Sequence, residues 1–279
     1  MNALIAPKTA ARMQRVSAHG AVGVKNLDDA NRLARLYQEG AAKIRLPASD
    51  VGPLEAVLIN TAGGLTGGDR IGWTIEAAEG ASMTVTTQAC EKVYRSAEGE
   101  ARALCSINVE RNARIAWLPQ ETIVYNGSAF SRSLDVTLAE GAEALIMEAT
   151  VFGRLAMGES VETARFRDRW RVRVKGRLVH GEDFAIGPQL KSALDRPAVA
   201  AGKYAVATLL LVASDAGDRL DAVRSVVGDA GGASAWSING TGKLLARLVA
   251  TDGYTLRQQL VPLVGLLNGR AGLPKIWSL

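Results

Sequence analysis

The 279-residue sequence is 48% hydrophobic and 22% charged, with 33 Lys and Arg residues against 28 Asp and Glu residues. A chain of this length and composition can bury a sizeable core, and no linker or low-complexity tract divides it, so we expect a single domain over residues 1–279. No stretch approaches the length of a membrane-spanning helix, and the basic start (MNALIAPKTAARMQRV) lacks the apolar segment of a signal peptide, which predicts a cytoplasmic protein.

Two glycine pairs stand close together in residues 60–69 (NTAGGLTGGD). Paired glycines adopt backbone torsions that a Cβ forbids, so we expect a tight connection after the apolar run around Leu58. This connection presents one carboxylate, that of Asp69. The simplest interpretation is a hairpin turn in which the glycines serve geometry alone.

Two segments have a superficial likeness to phosphate-binding loops. A dinucleotide fingerprint has the spacing GxGxxG before a helix, whereas Ile71, Trp73 and Ile75 alternate like a strand after the glycine pairs. Residues 240–243 (GTGK) look like the end of a P-loop, but the first glycine of that motif would fall on Ser237, and Leu244 replaces the Mg²⁺-binding hydroxyl. The sequence therefore predicts no NTPase activity.

A weak internal repeat occupies the middle of the chain. Turn signals centred on Gly80, Asn112 and Gly141 recur about 30 residues apart, each between alternating apolar residues. The apolar runs 83–86, 115–118 and 144–147 beside them are typical of short strands. Because such units cannot bury both faces alone, the repeat predicts a mainly β protein with a layered or helically wound β-sheet body.

A cation occupies every second position between residues 165 and 177. The set is Arg165, Arg167, Arg169, Arg171, Arg173, Lys175 and Arg177. In an extended strand these side chains share one face, and Phe166, Trp170, Val172 and Val174 share the other, with Asp168 as the exception. Two interpretations stay open: the solvated face of an antiparallel sheet, or a basic surface that docks an acidic partner.

Helical signals lie mostly in the last third, where we expect about two α-helices. Asp218 is a candidate cap for a helix over residues 219–227, and residues 228–234 (GDAGGAS) then predict a flexible loop. Residues 204–213 (YAVATLLLVA) favour a buried strand over a helix because the run is short.

The second predicted helix begins at Asp252 or Thr255 and ends at Asn268 and Gly269. Pro262 within it implies a kink or a late start.

Ligands for a tightly held metal ion are scarce. Only His19 and His180 are present, and neither Cys90 nor Cys105 stands in a CxxC arrangement, so no tight structural metal site is encoded. Without a secretion signal the two cysteines are expected to be reduced, semi-buried thiols. Isolated carboxylates and water bind a cation only weakly, so the sequence predicts no permanently bound metal cofactor.

Six short motifs occur in order along nearly the whole chain. They are NTAGGLTGGD, TTQACEKVYRS at 86–96, WLPQ at 117–120, GRLAMGE at 153–159, LDRP at 194–197 and PKIWSL at 274–279. In order and spacing they resemble the urease accessory protein family UreD, called UreH in some organisms. The resemblance implies a non-catalytic cytoplasmic scaffold that binds apo-urease, joins UreF and the GTPase UreG, and helps pass Ni²⁺ into the urease active site.

The resemblance also implies an internal, water-filled passage lined by acidic side chains. Matched to the family's motifs, the first candidate is Asp69, followed by Glu148 and Glu182, with Glu91 as a further candidate. Glu159, which completes GRLAMGE, is interpreted as structural or interfacial. An unpaired carboxylate loses several kcal/mol on leaving water, so Asp69 and Glu148 should be paired, hydrated or near metal if they point inward. The plain alternative is a surface carboxylate.

Two other function classes, a nucleic-acid-binding protein and an enzyme, find less support in the sequence. A basic nucleic-acid-binding protein using the strand Arg165 to Arg177 fits a net charge of +5, but aromatic residues make up only 5% and no RRM, KH, helix-turn-helix or zinc-finger pattern is present. An enzyme is disfavoured because no GxSxG elbow, Cys/His pairing or phosphate loop names its residues.

Overall fold

The computed structural model of the chain describes residues 14–48, 52–154 and 157–278. The basic N-terminal segment up to residue 13, positions 155 and 156 of GRLAMGE, and Leu279 lie outside the described residues.

Strands form most of the described chain. They are β1 Ser17–Leu27, β2 Ala30–Glu39, β3 Ala42–Arg45, β4 Leu54–Asn60, β5 Arg70–Ala77, β6 Ser82–Thr87, β7 Glu91–Val93, β8 Ala101–Val109, β9 Arg114–Trp117, β10 Thr122–Val124, β11 Ala129–Leu138, β12 Glu143–Phe152, β13 Arg165–Val174, β14 Arg177–Ile186, β15 Ala205–Val212, β16 Gly231–Ile238 and β17 Thr241–Ala250. The helices are α1 Leu190–Leu194, α2 Leu220–Val227 and α3 Gly253–Leu267. None of the described helices has the length and apolar character needed to cross a membrane.

The strands form two sheets. The seven-stranded sheet has the order β14-β13-β11-β8-β5-β1-β2, and its five middle strands β13, β11, β8, β5 and β1 run parallel. The ten-stranded sheet has the order β16-β17-β15-β12-β9-β6-β4-β3, with β10 beside β12 and β7 beside β10. In this sheet β4, β6, β9 and β12 are parallel, and antiparallel strands flank them.

The chain winds from one sheet to the other at the three predicted turns. Gly80, Asn112 and Gly141 connect β5 to β6, β8 to β9 and β11 to β12, and each has a positive φ, of 67°, 55° and 68°. Successive turns are stacked, because the amide of Gly80 donates to the carbonyl of Arg111 at 3.0 Å and the amide of Asn112 donates to Glu140 at 3.2 Å. The predicted mainly β, helically wound body is confirmed.

Apolar side chains fill two layers, one between the sheets and one under the helices. Alternate residues of β12 serve both: Ile146 packs between the sheets, whereas Leu145 and Met147 pack against α2, α3 and the C-terminal segment. This explains why β12 reads as a continuous apolar run, since both of its faces are covered. Burial of each large aliphatic side chain contributes about 1.5–3 kcal/mol.

The two predicted C-terminal helices are present. Asp252 begins α3 as its N-cap and accepts a hydrogen bond from the amide of Thr255 at 2.7 Å. The helix ends at Leu267, before Asn268, as predicted. Pro262 lies inside α3, so of the two alternatives, a kink or a late start, the late start is wrong: the cap at Asp252 fixes the first turn before Pro262 is reached.

Two local predictions around α2 are wrong. Asp218 does not cap it, because residues 216–219 form a 3₁₀ turn that leads directly into α2, and Arg219 takes the cap position without a side-chain bond. Residues 228–234 are not one flexible loop, because β16 begins at Gly231. A Cβ at Gly231 would lie 1.8 Å from the carbonyl oxygen of Arg247, so this glycine permits close strand pairing.

The glycine pairs connect β4 in one sheet to β5 in the other, so the segment is not a hairpin turn. A Cβ at Gly64 would lie 2.4 Å from the ring of Tyr94, and one at Gly67 would lie 2.2 Å from the carbonyl oxygen of Glu98. Both glycines therefore allow neighbouring chain to pack directly on this connection, which orients Asp69.

Candidate functional site

A buried ion cluster joins the two sheets. Arg132 on β11 and Asp168 on β13 stand opposite each other in the seven-stranded sheet, and Glu148 reaches them from β12 of the other sheet. Two parallel bonds link Arg132 to Asp168, Nε to Oδ1 at 3.1 Å and Nη2 to Oδ2 at 2.5 Å, and Nη1 forms an ion pair with Glu148 Oε2. The three side chains are 9%, 8% and 3% exposed, in the order Arg132, Asp168, Glu148.

Neighbouring side chains satisfy the other polar atoms of this cluster. The indole of Trp117 donates to Glu148 Oε1 at 2.9 Å, and the indole of Trp170 donates to Asp168 Oδ1 at 3.0 Å. Thr122 Oγ1 accepts a bond from Arg132 Nη1 at 3.1 Å. Hydrogen bonds of this kind hold the three charged groups in one geometry.

The cluster holds two acids and one base. Burial raises the pKa of Glu148 to about 7, although the nearby guanidinium of Arg132 acts in the opposite direction. Burial alone lowers the pKa of Arg132, but Asp168 and Glu148 together raise it above its ordinary value. With Arg132 protonated, the cluster carries one net negative charge when both carboxyl groups are ionised. It is neutral when one of them holds a proton.

One cavity lies on the Glu91 side of this cluster. It measures about 60 Å³, which is enough for ordered water, and Glu91, Thr87, Cys105, Gln120, Arg132 and Glu148 are among the residues that line it. The amide of Asn60 donates to both carboxylate oxygens of Glu91, at 3.1 and 3.2 Å. Burial raises the pKa of Glu91 to about 7, and the bond from Asn60 opposes this rise. We call this cavity of about 60 Å³ the Glu91 cavity.

A second cavity lies on the opposite side of the cluster. It measures about 150 Å³, and Arg132, Glu148, Asp168, Glu182, Thr208 and Arg247 are among its lining residues. Glu182 on β14 is ion-paired with Arg247 on β17, whose side chain is 58% exposed, so the cavity reaches solvent at this edge. We call it the Glu182 cavity.

Asp69 stands apart from the other three predicted acids. It is 4% exposed and lines neither of these cavities. Its Oδ1 accepts a bond from the amide of Val16 at 2.8 Å, and its Oδ2 accepts one from the amide of Thr66 at 2.7 Å. The structure thus brings Glu91, Glu148 and Glu182 together along the space between the sheets and places Asp69 in the glycine-rich connection. Its carboxylate is hydrogen-bonded there to two backbone amides.

Glu159, predicted to be structural or interfacial, contacts Arg154 and Asn126. Its Oε2 accepts a bond from Arg154 Nε at 2.8 Å, and its Oε1 lies 3.4 Å from the amide nitrogen of Asn126.

The histidines and cysteines do not form a metal site with each other. Within the described ranges, no group of three or more His, Cys, Asp and Glu residues is arranged to hold a metal ion. Burial, followed by the charges of Lys243 and Arg247, lowers the pKa of His180 to about 4. Both cysteines are free thiols; burial raises the pKa of Cys90 to about 12 and that of Cys105 well above its usual range.

The predicted basic face lies on β13, and part of it is neutralised. Phe166, Trp170 and Val172 are buried on the opposite face, as predicted. Surface carboxylates pair with Arg171, Arg173 and Lys175, whereas Arg165, Arg167 and Arg169 lie exposed. The strand ends at Val174, so Lys175 and Arg177 are not part of it: Lys175 and Gly176, both with positive φ, form the turn into β14.

The P-loop-like residues 240–243 form a structural contact. Asn239 and Gly240 make the tight turn between β16 and β17, with φ of 53° and 77°. Lys243, 3% exposed, donates to the carbonyl oxygen of Val179 on β14 and lies 4.5 Å from the ring centroid of Trp236. The lysine therefore ties the two sheets together.

Sequence reasoning missed the partners of Glu148. No motif points to Arg132, and Asp168 stands out only as the exception in an alternating strand. Both break an apolar row: Asp168 lies between Phe166 and Trp170, and Arg132 lies between Phe130 and Leu134. Two opposite charges on the buried faces of two strands were the available signal for a buried pair.

Comparison with known proteins gives concordant results. The sequence profile of the family described as UreD urease accessory protein matches residues 16–278. The urease accessory protein UreD of Mesorhizobium japonicum is 64% identical over 266 residues, covering 95% of this chain and 95% of the relative. The urease accessory protein UreD of Brucella suis is 55% identical over 267 residues, or 96% of each chain. The urease accessory protein UreD 1 of Brucella anthropi is 54% identical over 269 residues, or 95% of each chain.

Proposed function

The chain belongs to the UreD urease accessory protein family, and on this premise we propose that it is a cytoplasmic scaffold that binds apo-urease together with UreF and UreG and helps pass Ni²⁺ into the urease active site. The family's role in urease maturation is accessory, so no catalytic reaction is assigned to the chain. The nickel ion is its cargo and not a resident cofactor.

One observation carries this proposal: three of the acids that the family resemblance singles out line two adjacent cavities between the sheets. Glu91 lies in one cavity, Glu182 lies in the other, and Glu148 borders both. Threonine hydroxyls, including Thr87 and Thr208, line the same cavities. Carboxylate, hydroxyl and water oxygens are weak ligands for Ni²⁺ compared with imidazole and thiolate, so an ion on this route is free to move on.

The thiol chemistry of the Glu91 cavity agrees with brief binding. Cys105 lines this cavity, but burial holds its pKa well above the usual range. Because the thiolate and not the thiol binds metal, a protonated Cys105 does not hold an ion that enters this cavity. The carboxylates of Glu91 and Glu148 are then the strongest ligands that this cavity offers.

The role of Asp69 as a relay stays a prediction. Both of its oxygens accept bonds from backbone amides, so a cation bound there must share them with Val16 and Thr66. In the proposed route Glu91, Glu148 and Glu182 provide the internal ligands.

The test is the nickel content of urease matured in cells that express its operon together with variants of this chain. Glu148→Gln and Glu182→Gln remove an ionisable ligand while keeping the side-chain size, so we expect roughly threefold or greater loss of nickel per active site. Glu140→Gln is the matched control, because Glu140 is 65% exposed and pairs with Lys175 on the surface. Normal nickel content in both cavity variants, with the scaffold still bound to urease, would contradict the proposal.

A further inference from the structure

The two cavities meet at a single ion pair. Among the described residues, the linings of the Glu91 cavity and the Glu182 cavity have just Arg132 and Glu148 in common. These two residues form an ion pair with each other, and both side chains are more than nine-tenths buried. The ion pair therefore lies where the two cavities meet.

The partners of Arg132 hold it unequally. Asp168 binds the guanidinium through two parallel bonds and belongs to the neighbouring strand of the same sheet. Glu148 uses one oxygen for Arg132 and the other for Trp117, and it comes from the opposite sheet. A bidentate arginine–carboxylate pair is the stronger arrangement. Asp168 alone is thus sufficient to neutralise Arg132, and Glu148 is the acid that the cluster can release.

We propose that Arg132 controls passage between the two cavities and that a competing divalent cation opens it. This inference rests on the proposed function. An arriving divalent ion displaces the guanidinium from the carboxylate of Glu148, while Arg132 stays bound to Asp168 and neither sheet has to move.

Two properties of the groups explain the selectivity of such a barrier. Arginine stays protonated at any physiological pH, so Arg132 does not open the barrier by losing its own proton. A doubly charged ion attracts the Glu148 carboxylate more strongly than a singly charged guanidinium does, whereas K⁺ or Na⁺ brings no more charge than Arg132 itself. Passage is then restricted to divalent cations, and Arg132 is the residue that determines this specificity.

The charge count gives a sharp test. Asp168→Asn removes the acid to which Arg132 stays bound when it leaves Glu148. Glu148 then becomes the sole counter-ion of a buried cation, so the barrier stays closed. A buried one-to-one pair is costly to separate, so nickel per urease active site should fall by roughly threefold or more. Adding Arg132→Gln to Asp168→Asn removes the cation and should restore nickel loading to the parental level.

The control is Asp183→Asn, which makes the same chemical change at the ion pair of Arg171 on the outer surface of the adjacent strands. It should leave nickel loading at the parental level. Co-purification with urease and thermal unfolding of each variant show whether the scaffold is folded and assembled. If Asp168→Asn alone does not fold, the double variant is compared directly with the parent: loading at or above the parental level supports the barrier, and clearly lower loading overturns it.

The remaining outcomes are also decisive. Parental nickel loading in Asp168→Asn, or an equally low level in the single and double variants, overturns the role of Arg132. Neither of these results touches the proposed function if Glu148→Gln and Glu182→Gln still lower nickel loading. Unchanged loading when the chain is deleted altogether would instead remove the proposed function, and the barrier with it.

Discussion

The carboxyl group of Glu91 shows how burial prepares a side chain for a cation. Desolvation by burial raises its pKa to about 7, and the hydrogen bond from the amide of Asn60 acts in the opposite direction. A carboxyl group with such a value carries a proton for part of the time at neutral pH. Exchange of that proton for a metal ion involves no net burial of negative charge, which suits a site that binds briefly.

The raised pKa of Glu91 predicts a pH-dependent stability. In the unfolded chain a glutamate ionises near pH 4.3, so between that pH and about 7 the folded state keeps a proton that the unfolded state releases. The stabilisation linked to Glu91 is therefore complete below pH 4.3 and is lost progressively as the pH rises to about 7. The gain in the free energy of unfolding from Glu91→Gln should be about 1–3 kcal/mol larger at pH 8 than at pH 5.

Urea unfolding at the two pH values measures this difference. Glu140→Gln is the control, because Lys175 lowers the pKa of this exposed residue and no gain between pH 5 and pH 8 follows. An equal effect of Glu91→Gln at both pH values would show that Glu91 is ionised in the folded protein throughout this range.

Some residues also show what could not be predicted from the sequence. The family motifs led to Glu91, Glu148 and Glu182, and these three line two adjacent cavities between the sheets. The same motifs put Asp69 first, because a pattern cannot distinguish a carboxylate that accepts two backbone amides from one that lines a cavity. Arg132 interrupts an apolar row, but its role does not follow from that row alone, because its importance comes from Glu148 on a strand of the other sheet.

Among the elements, the turns that join the two sheets were the most predictable. Each needs a residue with positive φ, and Gly80, Asn112 and Gly141 supply it at regular spacing, so the winding of the chain is encoded locally. The segment 228–234 was misjudged because Gly231 serves close pairing with β17, a long-range contact that composition does not reveal. The two helices were found because α3 has a capping residue and α2 has an apolar face.

Gly141→Ala tests the stacking of these turns. Gly141 has a φ of 68°, and a Cβ there would lie 2.2 Å from Oδ1 of Asn112 in the adjacent turn. Strain and the clash together should lower the free energy of unfolding by about 1–3 kcal/mol. Gly265→Ala in α3 is the control, since a Cβ there meets nothing within 4 Å and alanine favours the helix, so a small gain is expected. Thermal unfolding of the two variants in parallel decides whether the stacked turns are sensitive to an added Cβ.

The basic strand β13 is an element with two sides. Its inner face carries Asp168 into the ion cluster, and its outer face keeps Arg165, Arg167 and Arg169 exposed. Asp183 and Asp135 on neighbouring strands neutralise Arg171 and Arg173. Much of the alternation is thus explained by one solvated face, and the three exposed arginines remain the part available to an acidic partner.

At the scale of the whole molecule, the two sheets hold polar groups in the space between them. Most of this space is filled by apolar side chains, and the ion cluster with its two cavities interrupts it. A protein that only needed stability would gain from replacing a buried charged cluster with well-packed apolar residues. The cluster is consistent with a molecule built to let a cation pass between its sheets.

Blocking the passage by volume alone tests this account most directly. Val199 lines the Glu182 cavity and is 42% exposed, so Val199→Trp should fill the cavity near the surface without disturbing the core, and Leu178→Trp, at a residue 52% exposed outside both cavities, is the control. The measurement is nickel per active site in urease matured with each variant at limiting nickel. The account predicts a clear loss with Val199→Trp and none with Leu178→Trp, while both still bind urease. Equal and normal nickel content in the two would contradict a route through the molecule.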